Sequence, residues 1–173
     1  MQTLTTPRLV IRPLEESDLR AFHLICGDEA AMQFMGDGKP LLLEGTQKWI
    51  AVSQQNYMLH SRGCMAVIER ATNAFIGFCG LVKGDNEHIE LIYAFTPQVW
   101  GRGYAAEAGA AMVAYGREFI PEIIATVYPE NTASLRVLEK VGFRQTHVNE
   151  DDHGVKTAFF LLEPLVPENL VVA

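Results

Sequence analysis

The sequence has no long apolar run, few cysteines and no surplus of positive charge. Its uncharged apolar stretches fall far short of the ~18–20 residues a membrane span requires. The start, Met1 to Pro7, lacks the basic segment and apolar run of a secretory leader. A cytoplasmic protein without membrane contact is therefore expected. Cys26, Cys64 and Cys79 are an odd and scattered set with no CxxC pair. That argues against a disulfide framework and for buried, reduced thiols, with Cys64 and Cys79 the only places for a catalytic one. Lys and Arg number 14 against 21 Asp and Glu, a formal net charge of −7. Nucleic acid, normally met by a basic face, is not an expected partner, whereas a cationic amine or basic peptide is compatible. His23, His60, His147 and His153 show no ligand spacing, so no metal is expected.

What is present is ordinary for a globular chain: 173 residues, 49% apolar and 20% charged. One domain over residues 1–163 is expected, with a loosely held tail over 164–173. Alternation around Leu9 and Ile11 predicts a strand over Arg8–Pro13. Helices follow at Ser17–Cys26, with Ser17 as cap, at Glu29–Met35, and at Glu44–Arg62, stopped by Gly63. Strands are then predicted at Cys64–Glu69, Phe75–Leu81 and His88–Phe95. An alanine-rich helix, Gly103–Phe119, stops at Pro121. A strand at Ile123–Tyr128, a helix at Thr132–Val141 closed by Gly142, and strands at Phe143–His147 and Val155–Leu162 complete the order. Helices interleaved with strands imply an α/β fold, a mixed sheet covered on both faces.

The segment Thr96-Pro-Gln-Val-Trp-Gly-Arg-Gly-Tyr-Ala-Ala-Glu107 joins a strand to the alanine-rich helix. Gly101 and Gly103, without Cβ atoms, allow a tight turn and a close ligand approach. The helix behind them offers unpaired N–H groups and a positive dipole end, a site for an anion such as a diphosphate, and Arg102 adds charge at the rim. A plain connecting turn is the alternative. Gly101-Arg-Gly103-Tyr-Ala-Ala106 also fits a dinucleotide GxGxxA pattern. Against that reading, Thr96–Trp100 intervenes between strand and glycine, and only one clear strand–helix unit follows.

Gln98-Val-Trp-Gly101-Arg-Gly103 resembles the Q/R-x-x-G-x-G/A acetyl-CoA signature of the GCN5-related N-acetyltransferases (GNAT). Asn131-Thr-Ala-Ser134-Leu-Arg-Val-Leu-Glu-Lys-Val-Gly142-Phe143 is similar to that superfamily's distal cofactor segment. With Pro7-Arg8-Leu9-Val-Ile-Arg12-Pro, the chain is most similar to the branch that acetylates ribosomal-protein N-termini. The resemblance runs from Thr6 to Leu162. It implies a mixed, mostly antiparallel sheet of 6–7 strands with helices on both faces and a splayed cofactor cleft.

The resemblance also implies an N-acetyltransferase that moves acetyl from acetyl-CoA to a primary amine by direct attack in a ternary complex. The amine would belong to a peptide or a small molecule. Gln98 and the backbone from Val99 through Trp100, Gly101, Arg102 and Gly103 to Tyr104 would grip the pyrophosphate. The pantetheine arm would enter between splayed strands, past Ala94 and Phe95, where a backbone N–H near Ile92–Phe95 polarises the thioester carbonyl. Asn131, locally a helix N-cap, and Ser134 would also reach the cofactor. A non-catalytic acyl-CoA sensor is the alternative.

Alternation along the third strand of the hairpin series puts Glu90 on the side of His88 and Ile92, opposite Leu91, Tyr93 and Phe95. Glu90 is the candidate base, with a solvated or amine-binding role as the alternative. His88 either shares that role or sits at the sheet edge. Where many members carry a tyrosine four residues before the Gly-Phe pair, this chain has Leu138. Ser134, Tyr128 or a water is then left to protonate the leaving thiolate, or it departs unassisted. Ile92 stands where that branch often has glycine. Met35–Pro40 and Gly84–His88 are expected rims of the acceptor site, with Phe34, Trp49 and Tyr57 as wall or core. The last strands and the apolar tail Leu170–Val172 offer a surface for a homodimer.

Overall fold

The computed structural model describes residues 2–84 and 87–164. Its first half comprises β1 (Leu4–Thr5), β2 (Leu9–Pro13), α1 (Leu19–Cys26), α2 (Glu29–Met32), α3 (Leu43–His60), β3 (Cys64–Glu69) and β4 (Ala74–Lys83). Its second half comprises β5 (Ile89–Phe95), α4 (Tyr104–Gly116), β6 (Ile123–Val127), α5 (Thr132–Val141), β7 (Phe143–Glu150) and β8 (Lys156–Leu162).

Residues Cys64–Ile68 of β3 are all buried, because both faces of the sheet are covered at its centre. One face carries Leu9, Ile11, Met65, Val67, Leu81 and Leu91, packed against Ala108 and Met112 of α4 and Leu138 of α5. The other carries Ala66, Ile68, Phe78 and Ala94, packed against Phe22 and Ile25 of α1 and Ile50 of α3. There Phe22, Trp49 and Phe78 meet edge to face at ring separations of 5.2–5.4 Å.

The strands form one sheet in the order β1-β2-β3-β4-β5-β6-β8-β7. Every pair is antiparallel except β5 and β6. Eight strands replace the expected 6–7, because Leu4 and Thr5 pair with Ile11 and Val10. Two residues are too few to show a period, so nothing in their pattern announces them.

Some boundaries also move. α2 ends at Met32, and Asp28 caps it by accepting from the Ala31 N–H at 2.7 Å. α3 ends at His60, where Ser61 turns left-handed (φ 55°) and donates its N–H to the Tyr57 carbonyl, two residues before Gly63. Ser17 is not the cap of the first helical segment. Glu15 is the N-cap of the one-turn 3₁₀ helix Glu16–Asp18 that precedes α1, and Asp18, its third residue, accepts from the Glu15 N–H at 2.8 Å while Arg12 holds the Asp18 carboxylate with two bonds of 2.7 Å. Ser17 lies inside that turn, and its hydroxyl donates to Glu15 Oε2 at 3.2 Å. The tail from Leu165, including Leu170–Val172, and the turn residues Asp85 and Asn86 lie outside the described residues.

Candidate active site

β5 pairs with β4 along its whole length, from Ile89↔Lys83 to Phe95↔Gly77. Its ladder with β6 has only two rungs, Ile89↔Ile123 and Glu90↔Ile124. Beyond Glu90 the two parallel strands part, leaving the β6-side edge of Leu91–Phe95 facing a gap. The gap opens into two cavities, of about 550 Å³ and 600 Å³. They meet at Phe34, Met35, Tyr93, Asn131 and Ser134, residues common to both walls.

The first cavity ends at the glycine loop. Pro97–Val99 makes one 3₁₀ turn, and the Trp100 indole donates to the Phe95 carbonyl at 2.8 Å, tying the loop back to β5. Gly101 (φ 74°) and Gly103 (φ 79°) then take the left-handed conformation. Gly103 is the N-cap of α4, so the helix begins with its unpaired N–H groups at the cavity's end. Ala94, Phe95 and Val99 border this cavity with Trp100, Gly101, Gly103 and Tyr104. Gln98 and Arg102 are exposed and stand outside its wall.

Across the gap, the Asn131 side chain accepts from the Ser134 N–H at 3.0 Å, the N-cap read from the sequence. Ser134 Oγ lies 2.7 Å from Tyr93 Oη. Burial pushes the Tyr93 phenol above its ordinary range, and the bond with Ser134 pulls against that shift. At neutral pH both hydroxyls therefore keep their protons. Alternation had put Tyr93 on the core side of β5, away from Glu90. It is on that side, but the parting of β5 and β6 lets its hydroxyl reach α5. Arg136 and Lys140 were also missed; one helical turn apart on α5, they bring positive charge to the first cavity. Their i,i+4 spacing was a signal available in the sequence.

The second cavity lies on the Glu90 side. Glu90 is half-buried, and the Thr126 hydroxyl donates to its Oε2 at 3.3 Å. Met35, Gly36, Asp37 and Lys39 form one rim and Gly84 another. Phe34 and Trp49 line the wall, Phe34 with its ring 6.2 Å from that of Tyr128. The Tyr128 hydroxyl donates to the Gly36 carbonyl at 3.1 Å, tying the rim to β6. Tyr57 is core, bonded to Met65 Sδ at 3.2 Å. His88 pairs with Glu122 at 3.2 Å, outside both cavity walls.

The thiols take no part. Cys26, Cys64 and Cys79 are buried and free. Burial pushes Cys26 and Cys79 up to about 12, and Cys64 well above its ordinary value. Among the described residues no group of three or more His, Cys, Asp or Glu side chains is placed to hold a metal ion, and no helix is long and apolar enough to cross a membrane.

A sheet parted at one parallel pair, with a helix N-terminus at one end of the gap and hydroxyls at its middle, can take an extended ligand with an anionic end. The profile of the Acetyltransferase (GNAT) domain matches residues 8–144. The chain is similar to the uncharacterized N-acetyltransferase YnaD of Bacillus subtilis (strain 168), at 32% identity over 145 residues, 82% of each chain. The structure is similar to that of a GNAT-family acetyltransferase from Bacillus anthracis, with a TM-score of 0.79, 28% identity, and coverage of 92% of this chain and 97% of that one. It shares its fold with the ribosomal L7/L12 α-N-protein acetyltransferase RimL in complex with coenzyme A. There the TM-score is 0.80 at 14% identity, over 92% of this chain and 97% of that one. The chain belongs to the GNAT family and is an acetyltransferase. Enzymes of this family use acetyl-CoA.

Proposed function

We propose that this chain transfers acetyl from acetyl-CoA to a primary amine, on a protein N-terminus or a small molecule, by direct attack in a ternary complex. The observation that carries the reading is the meeting of the two cavities at Tyr93, Asn131 and Ser134. A donor held at the loop and an acceptor held beside Glu90 would have their reacting ends there. The domain spans residues 1–163, and buried unpaired thiols suit the reducing cytoplasm.

The residues fit the donor. The N–H groups around Gly101–Tyr104 and the dipole of α4 suit its diphosphate. Arg136 and Lys140 supply positive charge for its outer phosphate. The open edge of β5 matches the amides of its pantetheine arm. Acetyl-CoA supplies a thioester: the amine nitrogen bonds to its carbonyl carbon, the carbon–sulfur bond breaks, and the coenzyme leaves as a thiolate. A backbone N–H near Ile92–Phe95 polarises the carbonyl oxygen. Glu90, directly or through water, takes the proton the amine must lose. Ser134 Oγ–H gives a proton to the thiolate, and Tyr93 shares its hydrogen with Ser134 as it does so. Tyr128, whose proton is engaged by Gly36, shapes the acceptor side.

The test is thermal unfolding with and without acetyl-CoA, followed by thiol release on a panel of amines. Ligand at ~100 times its dissociation constant stabilises by ~2.7 kcal/mol, a rise of roughly 5–10 °C for a domain this size. Glu90→Gln then separates enzyme from sensor. An enzyme loses on the order of 100-fold in kcat/KM while its Tm shift with acetyl-CoA persists. A wild-type protein that binds acetyl-CoA but releases no thiol with any amine would support the sensor instead.

A further inference from the structure

Arg8 lies ninety-nine residues before Glu107, yet the two are joined by two hydrogen bonds. The Arg8 backbone N–H donates to Glu107 Oε1 at 2.9 Å, and Arg8 Nε donates to Oε2 at 2.6 Å. Arg8 Nη1 also donates to the carbonyl of Arg102, inside the glycine loop, at 2.8 Å. The guanidinium lies 4.3 Å from the Tyr104 ring centre, and Thr6 Oγ1 completes the set by donating to Glu107 Oε1 at 2.6 Å. Arg70 braces the segment from behind, with Nη1 2.9 Å from the carbonyls of both Thr6 and Pro7.

We propose that Arg8 is a positioning residue for the cofactor loop. In the reading given above, on which this proposal rests, it aims the Gly103 N–H at the donor's diphosphate and cancels the charge of Glu107 beneath it. The aim follows from peptide geometry. In a trans peptide the C=O and the following N–H point in opposite directions. Arg8 holds the Arg102 carbonyl and stands outside the cavity wall, whereas Gly103 borders the cavity. The N–H of that peptide is thereby turned toward the cavity side.

The charge argument is separate. Glu107 sits in the first turn of α4, where the dipole favours an acid, but a bound diphosphate needs the same positive field. Burial opposes the charge on Glu107. The bonds from Thr6 and Arg8 outweigh it and hold the carboxyl below its ordinary range. Glu107 is therefore ionised at neutral pH, and without Arg8 its charge would stand uncompensated one turn from the phosphates. Arg8 is half-exposed, so solvent screens its side of the ion pair, and its backbone N–H bond to Glu107 survives replacement of the side chain. The role should therefore show in donor handling rather than in unfolding.

Two donors test it: acetyl-CoA, and acetyl-pantetheine, which carries the same thioester without the diphosphate. For Arg8→Ala, kcat/KM with acetyl-CoA falls at least tenfold, mainly through KM, while the value with acetyl-pantetheine stays within twofold of wild type. Arg8→Lys recovers only part of the loss, since a lysine cannot span a carbonyl and a carboxylate in one plane. Arg8→Ala with Glu107→Gln binds CoA more tightly than Arg8→Ala alone by calorimetry. An equal fall with both donors, or a CoA affinity in Arg8→Ala within twofold of wild type, overturns the proposal while leaving the acetyltransferase reading intact. A wild-type protein that neither binds CoA nor turns over either donor removes both.

Discussion

Tyr93 Oη and Ser134 Oγ lie 2.7 Å apart across the gap between β5 and the helix that follows β6. Forty-one residues separate them in the chain. Ser134→Ala is expected to lower kcat roughly 100-fold, the low end for a lost general acid, because a thiolate leaves readily. Tyr93→Phe removes one hydrogen bond worth about 1 kcal/mol, about fivefold in kcat. Steady-state thiol release at saturating acetyl-CoA checks both. Full activity in Ser134→Ala would mean that the thiolate leaves unassisted or takes its proton from water.

Asn131 has two readings, helix cap and cofactor contact, and two substitutions separate them. Asn131→Ala loses the bond to the Ser134 N–H and about 1 kcal/mol of stability, a fall in Tm of roughly 2–4 °C. Asn131→Asp keeps a capping oxygen and so keeps Tm. It loses the amide's donor, so its affinity for acetyl-CoA falls if Asn131 contacts the donor. Unchanged affinity in Asn131→Asp leaves the cap as its whole role.

Gly103→Ala places a side chain at φ 79°, in open surroundings where its Cβ would come no closer than 3.6 Å to Arg8 Nη2. The cost is therefore backbone strain alone, on the order of 1–2 kcal/mol. The expected result is a lower Tm and a smaller upward shift on adding acetyl-CoA, both read by thermal unfolding. A variant with the wild-type shift would show that the loop tolerates a different backbone while bound.

The two ends of the pH range should act through different groups. Glu107 has its folded proton affinity lowered from 4.5, so the native state binds fewer protons there than the unfolded chain. Its contribution is complete above that value and is lost as pH falls below it. The thiols behave oppositely. Cys26 and Cys79 are raised from 9.0 to about 12 by burial, so their contribution is complete below pH 9.0 and is lost as pH rises from 9.0 toward about 12. The protein should therefore lose stability on both flanks, and a Tm series from pH 3 to pH 11 checks it. At pH 8 a disulfide thiol reagent should titrate no cysteine quickly in the native protein and all three in denaturant.

Much of the candidate site was readable because its parts are local. The glycines of Gln98–Gly103 act within one turn, α5 is bounded by Asn131 and Gly142, and the period of β5 placed Glu90 opposite Tyr93. Each feature depends on the sterics of a few neighbouring residues, which the order of side chains determines directly. β1 escaped notice because two residues carry no period, and Ser17 was misread as a cap because the turn starts two residues earlier, at Glu15, whose N–H bonds to an Asp18 carboxylate braced by Arg12.

What only the tertiary structure decided is where these local pieces meet. The chain by itself determined a glycine turn into a helix, a capped distal helix and an acid on one face of a strand. That β5 and β6 pair for two rungs and then part is a property of the whole sheet. From it follow the junction of the cavities and the contact of Tyr93 with Ser134. The bonds of Arg8 with Arg102 and Glu107 depend in turn on β2 running alongside β3 and on α4 lying over that face. Contacts between residues forty to a hundred positions apart depend on packing that no local window contains, because their geometry is set by many apolar contacts at once.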